Sequence, residues 1–486
     1  MSYRNQKSPR KIKGRYSALS LAAKASFWYA LCGVMQKGIA ILVVPIYTRI
    51  MGVEAYGEYS VFQSWYVLLF IFTSLGLANY VFNNGMVKYS EDRDGFASAM
   101  LGLSGAVSIV FLGLFLLFPS FWVDLFGFSA PIVFLLFIRC LVTPSYELWS
   151  TRLRYEFRYR KVVALTLALT LLMPIVSVPV IMMSSDKGSA ALVCQVLIMA
   201  IVYTIPFVSL LRKNTKLINL KYWAYALKFN LPLIPSMFAT YALQQMDRIL
   251  IANYMGESYA AIYSVAYSVG MIALFLVTSL DQAYRPWFYQ KMEEGKRFSV
   301  NRIAFLLVGI IGLICLSVSL FAPEIMVFFA PDEYAIGAYA VAPVSAGIVA
   351  IMAFNIFTTF EYYYSKTTLI PVISITAACL SYALNYFLIP QFGFLVSAYI
   401  TAFCYFALMI GHAFLCRRVL KSQTIILAEI SIIRLVLLVV VLLALILAIQ
   451  LLYPWLNLRI MLVVLLCIAL FMGRKQLMHL RRAVLK

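Results

Sequence analysis

The sequence predicts an all-α polytopic membrane protein with about fourteen transmembrane helices, and three observations carry that prediction. Hydrophobic residues fill 63% of 486 positions and charged residues only 12%, with a mean hydropathy of +0.90; a soluble chain is nearer half apolar and a quarter charged. Apolar runs of roughly 20 residues recur from Ser26 almost to the C-terminus, each long enough to cross ~30 Å of hydrocarbon as a helix. The cations, 40 Lys and Arg against 19 Asp and Glu for a net charge of +21, gather in short alternate loops, with no basic face interleaved with exposed aromatics. That is the orientation signal of a membrane protein, and it argues against nucleic acid as a partner.

Taken in order, the apolar runs place helices near 26–50, 59–81, 98–118, 130–150, 162–183, 190–211, 225–248, 258–280, 303–322, 336–358, 368–389, 393–416, 430–450 and 453–473. Pro454 leaves a single re-entrant segment open for the last pair. With the basic N-terminus in the cytoplasm, 34 of the 40 Lys and Arg fall on the cytoplasmic side. A helix missed in the middle would invert the alternation after it, so the bias supports the even count and puts both termini in the cytoplasm. The stretch Met1–Lys24 is basic and polar. The apolar run after it is longer than a signal-peptide core and has no small-residue cleavage site, so it reads as a retained first helix.

The segment MGVEAYGEYSVFQS (Met51–Ser64) matches MGESYAAIYSVAYS (Met255–Ser268) at six of fourteen positions, 204 residues apart. Each copy is expected between the first and second helix of a group of six. The organisation read from this is a six-helix half over 1–220, a second over 221–418, and an appended helix pair with a basic tail over 419–486. Six is even, so both halves start on the same side and their pseudo-symmetry axis runs along the membrane normal.

Catalytic chemistry is hard to place. No G-x-x-x-x-G-K-[ST] loop is present, which argues against ATP hydrolysis in cis. The longest loop between helices, Asp281–Arg302, carries no nucleophile-base-orienter set. Eight scattered cysteines without a CxxC pair read as small core residues, and His412 and His479 are too few and too distant for a zinc site. No cofactor is expected, and coupling to H+ or Na+ stays open.

Six cations lie off the cytoplasmic side: Lys37, Arg49, Arg139, Lys187, Arg248 and Arg459. Lys37 and Arg139 fall near the middle of helices 1 and 4, where a charge costs at least ~2.5–3.5 kcal/mol and normally faces a cavity or a partner. They read either as contacts for an anionic headgroup or as partners of an intramembrane acid such as Glu147, Asp247, Asp281 or Glu361. Arg49 and the Asp247-Arg248 pair end the first helix of each half and read as substrate or gate residues, with snorkelling as the competitor. Pro45 in helix 1 and Pro232 and Pro235 in helix 7 give the opening helix of each half a bend signal. Tyr362, Tyr363 and Tyr364 read as an aromatic belt.

Three stretches resemble a known family. VVPIYTRIMGVEAYGEYS (Val43–Ser60), NLPLIPSMFATYALQQMDRILIANYMGESYAAIYSVAYS (Asn230–Ser268) and TRLRYEFRYRK (Thr151–Lys161) are similar to segments of the Wzx-type polysaccharide-biosynthesis flippases of the multidrug/oligosaccharidyl-lipid/polysaccharide exporter superfamily. The resemblance implies a MATE-like fold. It also implies an O-antigen-type flippase, not an enzyme, that carries undecaprenyl-diphosphate-linked sugar repeat units from the cytoplasmic to the periplasmic leaflet of a bacterial inner membrane. The partners it implies are the lipid-linked oligosaccharide, membrane lipid, and a polysaccharide polymerase with its chain-length regulator. The alternatives are a lipid II flippase, a cation-coupled multidrug exporter of the same superfamily and, from another class, a membrane glycosyltransferase or polymerase.

Overall fold

The computed structural model describes residues 20–422 and 431–462. The last expected span, 453–473, lies largely outside them, as do the basic N-terminal segment, Cys467 and His479. The other thirteen expected spans are largely helical, with 225–248 and 258–280 each interrupted by a 3₁₀ turn, at Leu231–Leu233 and Met271–Ala273. Eleven helical stretches among the described residues are apolar and long enough to cross a membrane.

In the first part of the chain the helices are α1 (Leu21–Met51), α2 (Val53–Ser74), α3 (Val81–Lys88), α4 (Arg93–Leu117), α5 (Pro119–Phe126), α6 (Ala130–Tyr155), α7 (Tyr159–Met183), α8 (Lys187–Leu211) and α9 (Leu220–Asn230). Then come α10 (Ile234–Met255), α11 (Glu257–Gly270), α12 (Leu274–Glu293), α13 (Arg297–Leu320), α14 (Ala322–Phe329), α15 (Ala338–Tyr363), α16 (Ile370–Phe392), α17 (Leu395–Ser422) and α18 (Ile432–Ala448).

Three expectations change at this level. The stretch 225–248 is not one helix, because Leu231–Leu233 forms a 3₁₀ turn around Pro232 between α9 and α10. A proline lacks the N–H that an uninterrupted helix needs there, so the bend signal is realised as a break. The expected loop from Asp281 is helical as far as Glu293, and Arg285 pairs with Asp281 one turn away at 2.8 Å within it. The repeated segments are the first turns of α2 and α11, not loops. Each is opened by a glycine in the left-handed region, Gly52 at φ 84° and Gly256 at φ 96°, a conformation that costs other residues strain.

The chain packs as two compact units. Met51 and earlier residues join Trp65–Ile234 in the first, whereas Gly52–Ser64 join the residues from Pro235 onward in the second. The mid-chain boundary thus follows α9, which is tied to the first unit. Tyr222 donates to Asp92 at 2.8 Å, Trp223 to the Ala99 carbonyl at 2.8 Å, and Asn230 to the Leu75 carbonyl at 2.8 Å.

The second unit is built around α15, whose central residues from Ala340 to Ala353 are all buried. Its small side chains let neighbours approach closely. Tyr405 of α17 would come within 3.1 Å of a Cβ at Gly347, and Leu442 of α18 reaches within 2.6 Å of one at Gly312. The first of the two appended helices is thereby packed on α13.

The repeat runs further in the structure than in the sequence. α4 and α13 are each followed by a short helix with proline in its first turn, α5 and α14. α6 and α15 are 26 residues each and end alike. Phe157 and Ser365 take φ 55° and 54°, while Arg158 N–H bonds the Leu153 carbonyl and Lys366 N–H the Glu361 carbonyl, both at 2.8 Å. This is the six-to-one bond of a helix end closed through a left-handed residue.

Candidate functional site

The sequence-selected residues fall into three settings. Lys37 and Arg49 are exposed on α1, which packs on α7 through a hydrogen bond between the Tyr47 and Ser177 hydroxyls. Lys37 lies between Gly33 and Gly38, where a Cβ would meet nothing within 4 Å, so this part of α1 is open. Arg49 bends back and donates to the Pro45 carbonyl at 3.0 Å.

Arg139 is buried in the first unit, at 6% exposure. Its guanidinium lies 3.5 Å from the ring centre of Tyr66, which extends from the part of α2 belonging to this unit. A desolvated cation on an aromatic face gains ~2 kcal/mol or more, which offsets part of the cost of a charge within a span. Thr143 donates to the Arg139 carbonyl at 2.8 Å. Glu147 lies two turns along α6. Tyr146 stacks on Tyr203 at 5.0 Å and meets the Thr166 hydroxyl at 2.5 Å. Arg139 of α6 thus lies on a phenol of α2, and a second pair of phenols stacks between α6 and α8.

Asp247 and Arg248 are buried in the second unit and face different partners. Tyr263 donates its hydroxyl to Asp247 at 2.6 Å. Arg248 donates to the Gln244 carbonyl at 2.9 Å and to Gln245 Oε1 at 2.8 Å, and its guanidinium lies 4.3 Å from the Tyr267 ring. Ser64 also donates to Gln245 Oε1, at 3.2 Å. Alongside, Ser264 donates to Ser60 at 3.0 Å. These two serines occupy the same position in the two copies of the repeat, so the copies meet each other directly. Snorkelling does not describe Asp247 and Arg248, which are 3% and 8% exposed.

Of the acids weighed as partners for Lys37 and Arg139, three are engaged elsewhere: Asp247 with Tyr263, Asp281 with Arg285, and Glu361 with His412. The last pair was not legible in the sequence. Both residues are 0% exposed, His412 Nδ1 stands 2.9 and 3.0 Å from the two carboxylate oxygens, and the Phe354 ring lies 4.8 Å from the imidazole. They are 51 residues apart on α15 and α17; Glu361 stood out as an intramembrane acid, but one histidine among apolar residues did not mark itself as its partner. Arg459, noted only as off-side, makes a two-pronged contact with Glu324 at 2.7 Å on both arms. Among the described residues no group of His, Cys, Asp and Glu is arranged to hold a metal ion.

The fold is one shared with solved transporters and flippases. The chain resembles an inward-facing multidrug resistance MATE family transporter of the MOP superfamily, with TM-score 0.62 and 14% identity, covering 80% of this chain and 96% of that one. It resembles equally the lipid II flippase MurJ in an inward closed conformation, with TM-score 0.62 and 13% identity over 94% of this chain and 99% of that one. The chain belongs to the polysaccharide biosynthesis protein family, whose model matches residues 22–292. It is also similar to two Haemophilus influenzae proteins. "Lsg locus putative protein 1" is 22% identical over 72% of this chain and 87% of its own length; an "uncharacterized membrane protein" is 24% identical over 65% and 77%.

Proposed function

We propose that the protein flips undecaprenyl-diphosphate-linked oligosaccharide repeat units from the cytoplasmic to the periplasmic leaflet of a bacterial inner membrane, supplying O-antigen, capsule or exopolysaccharide synthesis. The observation that carries the proposal is membership of the polysaccharide biosynthesis family together with a flippase-and-exporter fold over nearly the whole chain. A sugar diphosphate cannot cross hydrocarbon unassisted, because its charges and hydroxyls would lose their water. A protein path lined with cations and amides replaces part of that hydration while the polyprenyl tail stays in lipid. Arg139, with Lys37 and Arg49 on the first unit and Asp247-Arg248 on the second, are the residues assigned to cargo contact or gating. Mid-span cations suit an anionic cargo better than the cationic drugs of a multidrug exporter. The 34-of-40 bias of Lys and Arg orients both termini to the cytoplasm.

Gene deletion followed by analysis of lipid-linked intermediates tests the proposal. Complete repeat units accumulating on the cytoplasmic face are expected. Unchanged glycolipids with altered drug tolerance would replace the reading with drug export, and arrested lipid II would replace it with peptidoglycan-precursor flipping.

A further inference from the structure

At the basic end of the first unit, Asn79, Asn83, Arg93, Thr151, Arg154 and Phe157 are among the residues that line an open cavity of about 700 Å³. No acid lines it. Neighbouring cations are neutralised: Arg152 pairs with Asp94 and with Glu156, and Arg158 also pairs with Glu156. Among the described residues Arg93 and Arg154 have no acidic partner of this kind. Arg93 gives its Nε hydrogen to the Met86 carbonyl at 3.0 Å and lies 5.4 Å from the Tyr155 ring, which leaves most of its five-donor fork for a ligand. Arg154 lies 5.4 Å from the ring of Tyr29 on α1, so the cavity adjoins a membrane-spanning helix.

The local backbone also marks the place. Phe157, on the cavity wall, holds φ 55°, a left-handed conformation that a bulky residue keeps only where its surroundings impose it. In the second unit the same turn carries the small Ser365. Thr151 and Arg154, in the last turn of α6, line the cavity with Arg93 and the two asparagines.

We infer that this cavity is a docking site for the diphosphate headgroup of a lipid carrier, separate from Arg139 within the span. Two guanidinium groups match the fork geometry of phosphate oxygens, the amides and hydroxyl suit the bridging oxygen or first sugar, and contact with α1 leaves the tail in the bilayer. The assignment deepens the proposed flippase function and rests on it for the identity of the carrier.

The test is binding of inorganic pyrophosphate and of geranyl diphosphate to the purified full chain, by calorimetry, for the wild type and for Arg93→Gln, Arg154→Gln and the double variant. Each single change is expected to weaken diphosphate binding about tenfold and the double change further, while Arg158→Gln leaves it unaltered. Geranyl diphosphate should bind more tightly than pyrophosphate. Undiminished binding by a folded double variant overturns the site, and so does an equal loss in Arg158→Gln, which would reduce it to bulk charge. Displacement of geranyl diphosphate by phosphatidylglycerol at equal concentration assigns the cavity to ordinary anionic lipid and also overturns it. If the double variant does not fold, Asn79→Ala with Asn83→Ala supplies the comparison, again with weaker binding expected and unchanged binding fatal. Binding is read without transport, so retained binding beside unchanged glycolipids in the deletion strain sinks the flippase reading alone.

Discussion

Replacing Gly57 with alanine tests how the two copies of the repeat pack. Gly57 lies one turn into α2, within the stretch that joins the second unit. A Cβ there would stand 2.0 Å from the Glu257 carbonyl oxygen and 2.5 Å from its carbon, against 3.4 Å for ordinary contact. The obstacle is backbone, so the two helices must separate by about 1.4 Å. A movement of that size pulls the Ser264–Ser60 bond, now 3.0 Å, beyond hydrogen-bonding range. Overpacking costs roughly 1–3 kcal/mol and the lost bond about 1, against a gain of up to ~1 from the better helix propensity of alanine. The net expectation is a loss of roughly 1–3 kcal/mol, read as a lower midpoint in thermal unfolding of the detergent-purified protein, with reduced glycan complementation. Gly33→Ala and Gly38→Ala, where nothing lies within 4 Å, should be neutral or gain up to ~1 kcal/mol. If Gly57→Ala unfolds no earlier than these two, the close approach of α2 and α11 is wrong.

The other expectations are more compact. Glu361→Gln or His412→Gln alone should destabilise the chain by roughly 3–5 kcal/mol by stranding a buried partner, while the double glutamine variant should recover most of that loss; additive losses in thermal unfolding would show that the two do not act as a pair. Hydrogen bonds from Arg459 hold the Glu324 carboxyl below its ordinary value of 4.5. The stabilisation is therefore complete above that value and lost as pH falls through the lowered one, and the stability gap between wild type and Arg459→Gln should close below about pH 4.5; a gap constant with pH refutes the pairing. Arg139→Lys should keep more flipping activity than Arg139→Ala at equal membrane abundance, because charge matters more than shape; full complementation by a well-expressed alanine variant removes Arg139 from the cargo path. Reporters fused after Tyr155, Lys216 and Met292 should lie in the cytoplasm and those after Asp124, Ser258 and Asp332 in the periplasm; adjacent fusions on one side would break the helix order.

Helices were legible because a bilayer imposes a length, so apolar runs near 20 residues mark spans without tertiary information. Their ends were less so. Charged residues past the membrane continue α12 through its Asp281–Arg285 pair, and hydropathy reads such an extension as loop. The division of α2 at Ser64 and Trp65 was invisible for a related reason, since a continuous helix does not disclose in sequence that its two ends pack on different bodies. Among the candidate residues, off-side charge located Arg139, Asp247 and Arg248 because burying charge is costly and therefore conspicuous. The same rule could not name Tyr66, Gln245 or Tyr263, whose polar atoms are ordinary at a helix contact. It also missed His412, which counts as uncharged.

The structural repeat supplies an argument that neither composition nor motif could. The matched helix ends at Phe157 and Ser365 set a register of 208 residues between α6 and α15, and Lys187 and Leu395 open α8 and α17 in the same register. In that register Arg139 and Glu147 correspond to Gly347 and Asn355, while Glu361 and His412 correspond to Leu153 and Thr204. The backbone scaffold is duplicated and the ionisable chemistry is not. A buried charge costs several kcal/mol wherever it sits, and the two units bear that cost at different positions. The first unit keeps Arg139 on the Tyr66 ring, with the basic cavity at one end, and the second keeps the buried Glu361–His412 pair between α15 and α17.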